Sequence, residues 1–202
     1  MREGLPGLHR VSPDMTEAVA SAIARGFLDN EIWMWIIPGE RRRAELLDRY
    51  YRMMIQRVFV PAGGAWTTAE AAGGALWIPP GTKLSLAVAL RELFVISSAV
   101  GIAGLRRAFA IDALKKRHRP AEAHWYLETL SIEPAQQRQG HGTALLAPVL
   151  AHCDAQALPA YLETQRRSNI AFYERFGFEL SGEVSTGESP PLWLMWRKPS
   201  RA

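Results

Sequence analysis

The segment from residue 124 to residue 177 constrains this chain most, because two secondary-structure periods alternate there in quick succession. "HWYLETLSI" (124–132) has the aromatic and β-branched content of a strand. "GHGTALLAPVLAHCDAQ" (140–156) sets Leu145, Leu146, Val149, Leu150 and Cys153 on one face at helical spacing. Pro148 lies inside that pattern, lacks an N–H, and predicts a kink. "AYLETQ" (160–165) is a second strand, and "SNIAFYERFG" (168–177) a short helix that starts at Ser168 or Asn169 and stops at Gly177. "FELSGEV" and "LWLMWR" supply two further strands. Strand and helix alternating in this way predict an α/β arrangement around a mixed sheet.

The first half reads less sharply. A strand near 8–11 leads through Ser12-Pro13-Asp14 into a helix ending about Phe27. Residues 28–40 read as a connector of unusual apolar content, and a second helix runs from Glu40 to Val58. Gly63-Gly64 and Gly73-Gly74 bracket two short strands, "AWTTA" and "ALWI". A helical region over 83–118 breaks near Gly101. Its most apolar window, 93–105, is too short to span a bilayer and is flanked by Arg91, Glu92, Arg106 and Arg107. At 202 residues the chain is expected to form one domain.

The formal net charge is +4, with basic clusters at 41–49, 114–119 and 165–167. The first two read as solvated helix faces. No aromatic residues alternate with them as a strand-binding groove requires, so neither nucleic acid nor membrane is an expected partner. The polar N-terminus lacks a signal-peptide pattern, and the single cysteine, Cys153, has no disulfide partner within the chain; both fit a cytoplasmic location. The five histidines show no metal-ligand spacing, and no metal is expected.

Between the first strand and the long helix lies Gln137-Arg138-Gln139-Gly140-His141-Gly142-Thr143. A loop in this position suits an anion: the first N–H groups of a helix have no intrahelical acceptor, and the dipole adds positive charge. The Lys-Ser/Thr pair of a Walker loop is absent. Leu145 stands where a dinucleotide fingerprint requires its third glycine. The remaining pattern, Q/R-x-x-G-x-G/A, together with "AYLET", Asn169 and "FYERFGF", resembles the acetyl-CoA signature of the GNAT superfamily of N-acetyltransferases. Across residues 118–198 the likeness is greatest to the puromycin N-acetyltransferases and their relatives.

The resemblance implies a mostly antiparallel mixed sheet, flanked by helices, in which strands 4 and 5 splay apart to admit pantetheine. It implies acetyl-CoA as co-substrate, with Leu130, Ser131 and Ile132 pairing to the arm. Gln137 and the N–H groups from Arg138 through Gln139, Gly140, His141 and Gly142 to Thr143 would cradle the pyrophosphate, and Asn169 would bind the arm from the next helix. Residues 1–120 would shape the acceptor side and 121–198 the cofactor side. The expected reaction is direct transfer of acetyl to a primary amine, of a small molecule, in a ternary complex; a basic nucleic-acid-binding protein or a non-catalytic acyl-CoA sensor on the same scaffold is the alternative. A homodimer stays open.

Tyr173, four residues after Asn169, would be the acid that protonates the departing thiolate, although by residue type alone it is equally a core aromatic beside Phe172 and Phe176. Glu128, on one strand face with Tyr126, Leu130 and Ile132 if no bulge intervenes, or else Glu163, would take the ammonium proton. Cys153 sits on the apolar stripe, and neighbouring His152 points about 100° away, which disfavours an acyl-cysteine route. Trp33 and Trp35 are either a core plug or an aromatic wall of the acceptor site.

Overall fold

The computed structural model describes residues 8–83 and 85–200. Seven strands form one sheet in the order β1-β2-β3-β4-β5-β7-β6. They are β1 (His9–Arg10), β2 (Ala65–Thr67), β3 (Gly73–Ile78), β4 (Trp125–Ile132), β5 (Ala160–Thr164), β6 (Glu179–Val184) and β7 (Leu192–Arg197). Every pairing is antiparallel except β4 with β5, which is parallel.

That pair holds the architecture's central irregularity. β4 and β5 are in register only at Trp125–Ala160, Tyr126–Tyr161 and Leu127–Leu162. Beyond those rungs β4 continues to Ile132 and β5 to Thr164 without pairing to each other, so the sheet opens into a V. The backbone groups lining the V have no strand partner and are left to bind something else.

Two apolar layers cover the sheet. On one face lie α7 (His141–Ala155) and α8 (Ile170–Glu174), where Leu145, Leu146, Val149, Leu150 and Cys153 pack with Trp77, Trp125, Leu162 and Met195. This is the predicted stripe. α7 runs uninterrupted through Pro148; the carbonyl one turn back, at Ala144, loses its partner on an exposed stretch where water can replace it. α8 is shorter than its sequence pattern, because residues Arg167–Asn169 form a 3₁₀ turn ahead of it.

On the other face α1 (Thr16–Gly26) and α3 (Glu40–Met54) enclose a second core with Ile23, Leu46, Leu47, Tyr51 and Leu76. α3 continues through a π turn at Ile55–Phe59 into α4 (Val60–Ala62), and the wider turn keeps Ile55, Val58 and Phe59 all buried. Outside them run α5 (Leu86–Ser97) and α6 (Ile102–His118), broken at Gly101 as its sequence position predicts.

Three expectations need correcting. Residues 28–40 are more than a connector: α2 (Glu31–Ile36) forms there, capped by Asn30, whose Oδ1 accepts the Trp33 N–H at 3.1 Å. The basic clusters are not wholly solvated either. Arg43 is buried and donates to the carbonyls of Leu28, Ile37 and Pro38, tying the start of α3 to the turns around α2. Lys115, in the last turn of α6, points inward.

The third correction concerns Glu128. β3 pairs Leu76 with Thr129 and Trp77 with Leu127, so Glu128 is the extra residue of a β-bulge. The bulge reverses the alternation: Leu127, Leu130 and Ile132 all face the α7 layer, whereas Tyr126 faces away from it. Glu128 therefore does not share a face with Leu130 and Ile132. Its carboxylate reaches the Tyr126 side of the sheet, next to Lys115.

Candidate active site

A cleft of about 590 Å³ fills the V and continues past the N-terminus of α7. Its walls bring together Glu128, Leu130, Ser131 and Ile132 of β4, Glu163 and Thr164 of β5, Gln137, Arg138, Gly140, Gly142 and Thr143 of the glycine loop, and Asn169 and Tyr173. Residues far apart in the chain thus meet at one opening.

The glycine loop is shaped for an anion. Arg138 and Gly140 both take left-handed backbone angles, φ +62° and +88°. Gly140 is the N-cap of α7 and brings no capping side chain, so the first N–H groups of the helix face the cleft without an internal acceptor. Arg138, Arg166 and Arg175 are also among the residues that line the cleft and add positive charge to it. Arg166 is held by Asp29 at 2.6 Å, and Arg175 lies over the Phe172 ring. Gln137 donates to the Ile132 carbonyl at 3.1 Å, tying loop to strand. Gln139, bonded to the Ala135 carbonyl, and His141, the first residue of α7, stand beside the cleft rather than in its wall.

The strand wall is fixed from behind. Ser131 donates to the Ile23 carbonyl at 3.1 Å, and α1 approaches so closely that a Cβ on Gly26 would meet Ser131 Oγ at 2.1 Å. No residue but glycine fits that crossing. Asn169 donates to Thr164 Oγ1, tying the start of α8 to the end of β5.

Tyr173 is buried, edge-on to Phe172 and Phe178, and still lines the cleft. Burial raises its phenol well above the ordinary tyrosine value, so it stays protonated and has a proton to give. It is a core aromatic and a cleft residue at once.

The two glutamates occupy the opposite end. Glu163 is buried, and its Oε2 accepts the Tyr126 hydroxyl at 2.7 Å. Glu128 accepts a hydrogen bond from Thr129 Oγ1. The Lys115 ammonium lies 3.7 Å from Glu128 Oε1 and 3.7 Å from Glu163 Oε2. Farther out, Glu92 accepts the Tyr50 hydroxyl, and burial raises its carboxyl above the usual range.

Trp33 and Trp35 do not line the cleft. Trp33 packs edge-on against Tyr50 at 5.4 Å, and Trp35 lies under the Arg107 guanidinium at 5.1 Å. Phe27 and Asn30, one and four residues beyond α1 in the turn, line it instead. Sequence reasoning missed Phe27, as it missed Lys115. The Asn30 signal was present, since a helix cap followed by "EIWMWI" marks a helix start.

Cys153 lies away from the cleft within the α7 core, where burial pushes its thiol up to about 12. A nucleophilic role would need the thiolate that this environment suppresses. Among the described residues no group of three His, Cys, Asp or Glu side chains is arranged to hold a metal ion, and no helix is long and apolar enough to cross a membrane.

Comparison with known proteins gives the same outline. The sequence profile of the Acetyltransferase (GNAT) family matches residues 76–178, which include β4, the glycine loop, β5 and α8. An uncharacterized N-acetyltransferase of Schizosaccharomyces pombe is 23% identical over 207 aligned positions, covering 94% of this chain and 82% of the relative. Among solved structures, a histone acetyltransferase HPA2 and related acetyltransferase from Corynebacterium glutamicum superposes with a TM-score of 0.72 at 19% identity, covering 98% of this chain and 99% of that one. An arylalkylamine N-acetyltransferase 2 from Aedes aegypti has a TM-score of 0.62 at 9% identity, covering 96% and 98%. At such identities the structural likeness concerns the fold. With more than half of its length matched by the family profile, and with the splayed strands and glycine loop in place, the chain belongs to the GNAT family of acetyltransferases.

Proposed function

We propose that this protein transfers an acetyl group from acetyl-CoA to the primary amine of a small molecule, by direct attack within a ternary complex. One observation carries the reading: a single cleft holds an uncapped helix N-terminus, an unpaired strand edge, a protonated tyrosine and two carboxylates. In this reading the pyrophosphate lies on the N–H groups from Arg138 to Thr143, and the pantetheine runs along Leu130, Ser131 and Ile132 with Asn169 at its side.

Glu128, at the bulge and more accessible than Glu163, takes the ammonium proton, directly or through water. The amine attacks the thioester carbonyl, and Tyr173 protonates the sulfur as the C–S bond breaks. A buried phenol is a weaker acid than a free one, but the same apolar surroundings penalise the thiolate, so the match survives burial. Glu163, held by Tyr126 and Lys115, is the second choice of base. The buried thiol of Cys153 supports the direct route over an acyl-enzyme.

A small acceptor is supported by the end of α6 projecting Lys115 over the carboxylates. Residues 1–120 then supply the acceptor side and 121–198 the cofactor side of one domain. The unlike requirements of nucleic-acid binding, a basic face with stacking aromatics, are not favoured by a cleft that mixes cations and carboxylates.

Calorimetric titration with acetyl-CoA, followed by thiol release with a panel of amines, tests the reading. Tyr173→Phe is expected to lower kcat about a hundredfold while leaving acetyl-CoA affinity intact. Full turnover by that variant under chemistry-limited conditions overturns the acid assignment. Tight acetyl-CoA binding with no amine-dependent thiol release favours the sensor instead.

A further inference from the structure

Lys115 is one of four lysines, and its position differs from the others. Lys83 and Lys198 are exposed, and Lys116 pairs with Asp112 on the surface of α6. The Lys115 side chain is only 17% exposed and ends between Glu128 and Glu163, above the Tyr126 ring at 5.6 Å. Two carboxylates and an aromatic face are the chemistry that receives an alkylammonium ion. Burial alone would lower the Lys115 ammonium, but Tyr126, Glu163 and Glu128 outweigh it, so Lys115 is charged.

The seat is filled, yet loosely. At 3.7 Å both ion pairs are longer than hydrogen bonds, and Glu163 Oε1 is buried without a well-formed hydrogen bond, the Tyr161 hydroxyl being its neighbour. A buried carboxylate oxygen without a well-placed donor is costly, and a donor entering the cleft would relieve it. The helix carrying Lys115 is also weakly anchored: of its seventeen residues only Gly104 and Ile111 are buried. An ammonium on such a helix can leave without unpacking a core.

We propose that Lys115 occupies the place of the acceptor's own ammonium, that the acceptor is a primary alkylamine, and that its binding displaces Lys115 from between Glu128 and Glu163. The proposal rests on the acetyl-transfer reading. Lysine's side chain, an unbranched primary alkylamine, then serves as a tethered competitor. It supplies a shared counter-charge to the two carboxylates, and it weakens the binding of any acceptor that must replace it.

The test uses n-butylamine, the lysine side chain without its backbone, and the Lys115→Ala variant of the full chain, whose integrity is checked by acetyl-CoA titration. n-Butylamine is expected to raise the melting temperature of Lys115→Ala and not of the wild type. With acetyl-CoA, the variant is expected to form N-butylacetamide at least tenfold faster than the wild type at subsaturating amine. Both effects should vanish when Glu163→Gln is added. If the amine stabilises Lys115→Ala but is acetylated no faster than by the wild type, Lys115 is a structural counter-ion and the proposal fails. If neither enzyme acetylates any amine, the acetyl-transfer reading falls and takes the proposal with it. Should the alanine variant not fold, Lys115→Met, which keeps the stem, carries the test through a KM for n-butylamine at least tenfold below that of the wild type; an unchanged KM with lowered kcat overturns the idea.

Discussion

α7 and α6 flank the same V and are anchored in opposite ways. α7 buries five apolar side chains against the sheet and presents its backbone to the cleft. α6 is two residues longer, buries only Gly104 and Ile111, leaves Ile102 83% and Phe109 53% exposed, and presents a side chain, Lys115. A group held by backbone on a packed helix is fixed; a group at the end of a flexible stem on a loosely held helix can be exchanged. The donor side calls for the first, since every acyl-CoA carries the same pyrophosphate. The acceptor side, where the ligand must enter and leave, is served by the second.

The largest expected effect that could break this contrast is on stability. Leu146→Ala, in the middle of the α7 stripe, is expected to cost about 3 kcal/mol in denaturant unfolding. A loss below about 1 kcal/mol there would mean that α7 is no better anchored than α6. Next, Gly140→Val forces a β-branched residue into a left-handed position, a strain of about 1–2 kcal/mol. It should weaken acetyl-CoA binding about tenfold by calorimetry while leaving n-butylamine-induced stabilisation of Lys115→Ala unchanged.

A smaller effect tests the far end of α7. Arg197, buried, grips Asp154 with two bonds of 2.7 Å, and those bonds hold the Asp154 carboxyl below the usual carboxylate range. Because the folded value is depressed, the stabilisation is present above the unfolded carboxyl value and is lost as pH falls through the folded one. Asp154→Asn should therefore cost about 1 kcal/mol at pH 7 and progressively less below about pH 4. A gap that widened on acidification would contradict the assignment. Smallest of all, Phe109→Ser on the outer face of α6 should change stability by less than about 0.5 kcal/mol.

The same contrast explains what could be read in the sequence. The α7 side was legible because a five-residue stripe, a glycine pair and two flanking strands each obey one period, and packing enforces them all. The strands follow from that regularity, whereas the meeting of Glu128, Glu163, Asn169 and Tyr173 around one cleft was implied by the resemblance to the GNAT superfamily. Lys115 was not legible: α6 has no sharp apolar stripe to orient it, so a lysine in "LKKRHR" reads as solvated whichever way it points. Glu128 was misassigned to a face because one inserted residue in β4 reverses the alternation, and nothing local in "YLETLSI" marks the bulge. Trp33 and Trp35 belong to a helix that packs against α3 and α6, and their apolar run carries no information about which neighbour it meets.

The short ladder joining β4 to β5 has one further consequence. Three rungs, from Trp125–Ala160 to Leu127–Leu162, act as a hinge pin whose position decides where the jaws begin to part. Glu128 and Glu163 are the first residues past the pin on either jaw, so the gap between them is set where the paired rungs end. Lineages descended from such a chain could rebuild α5 and α6 for new amines, and the reacting atoms would still meet at the same depth.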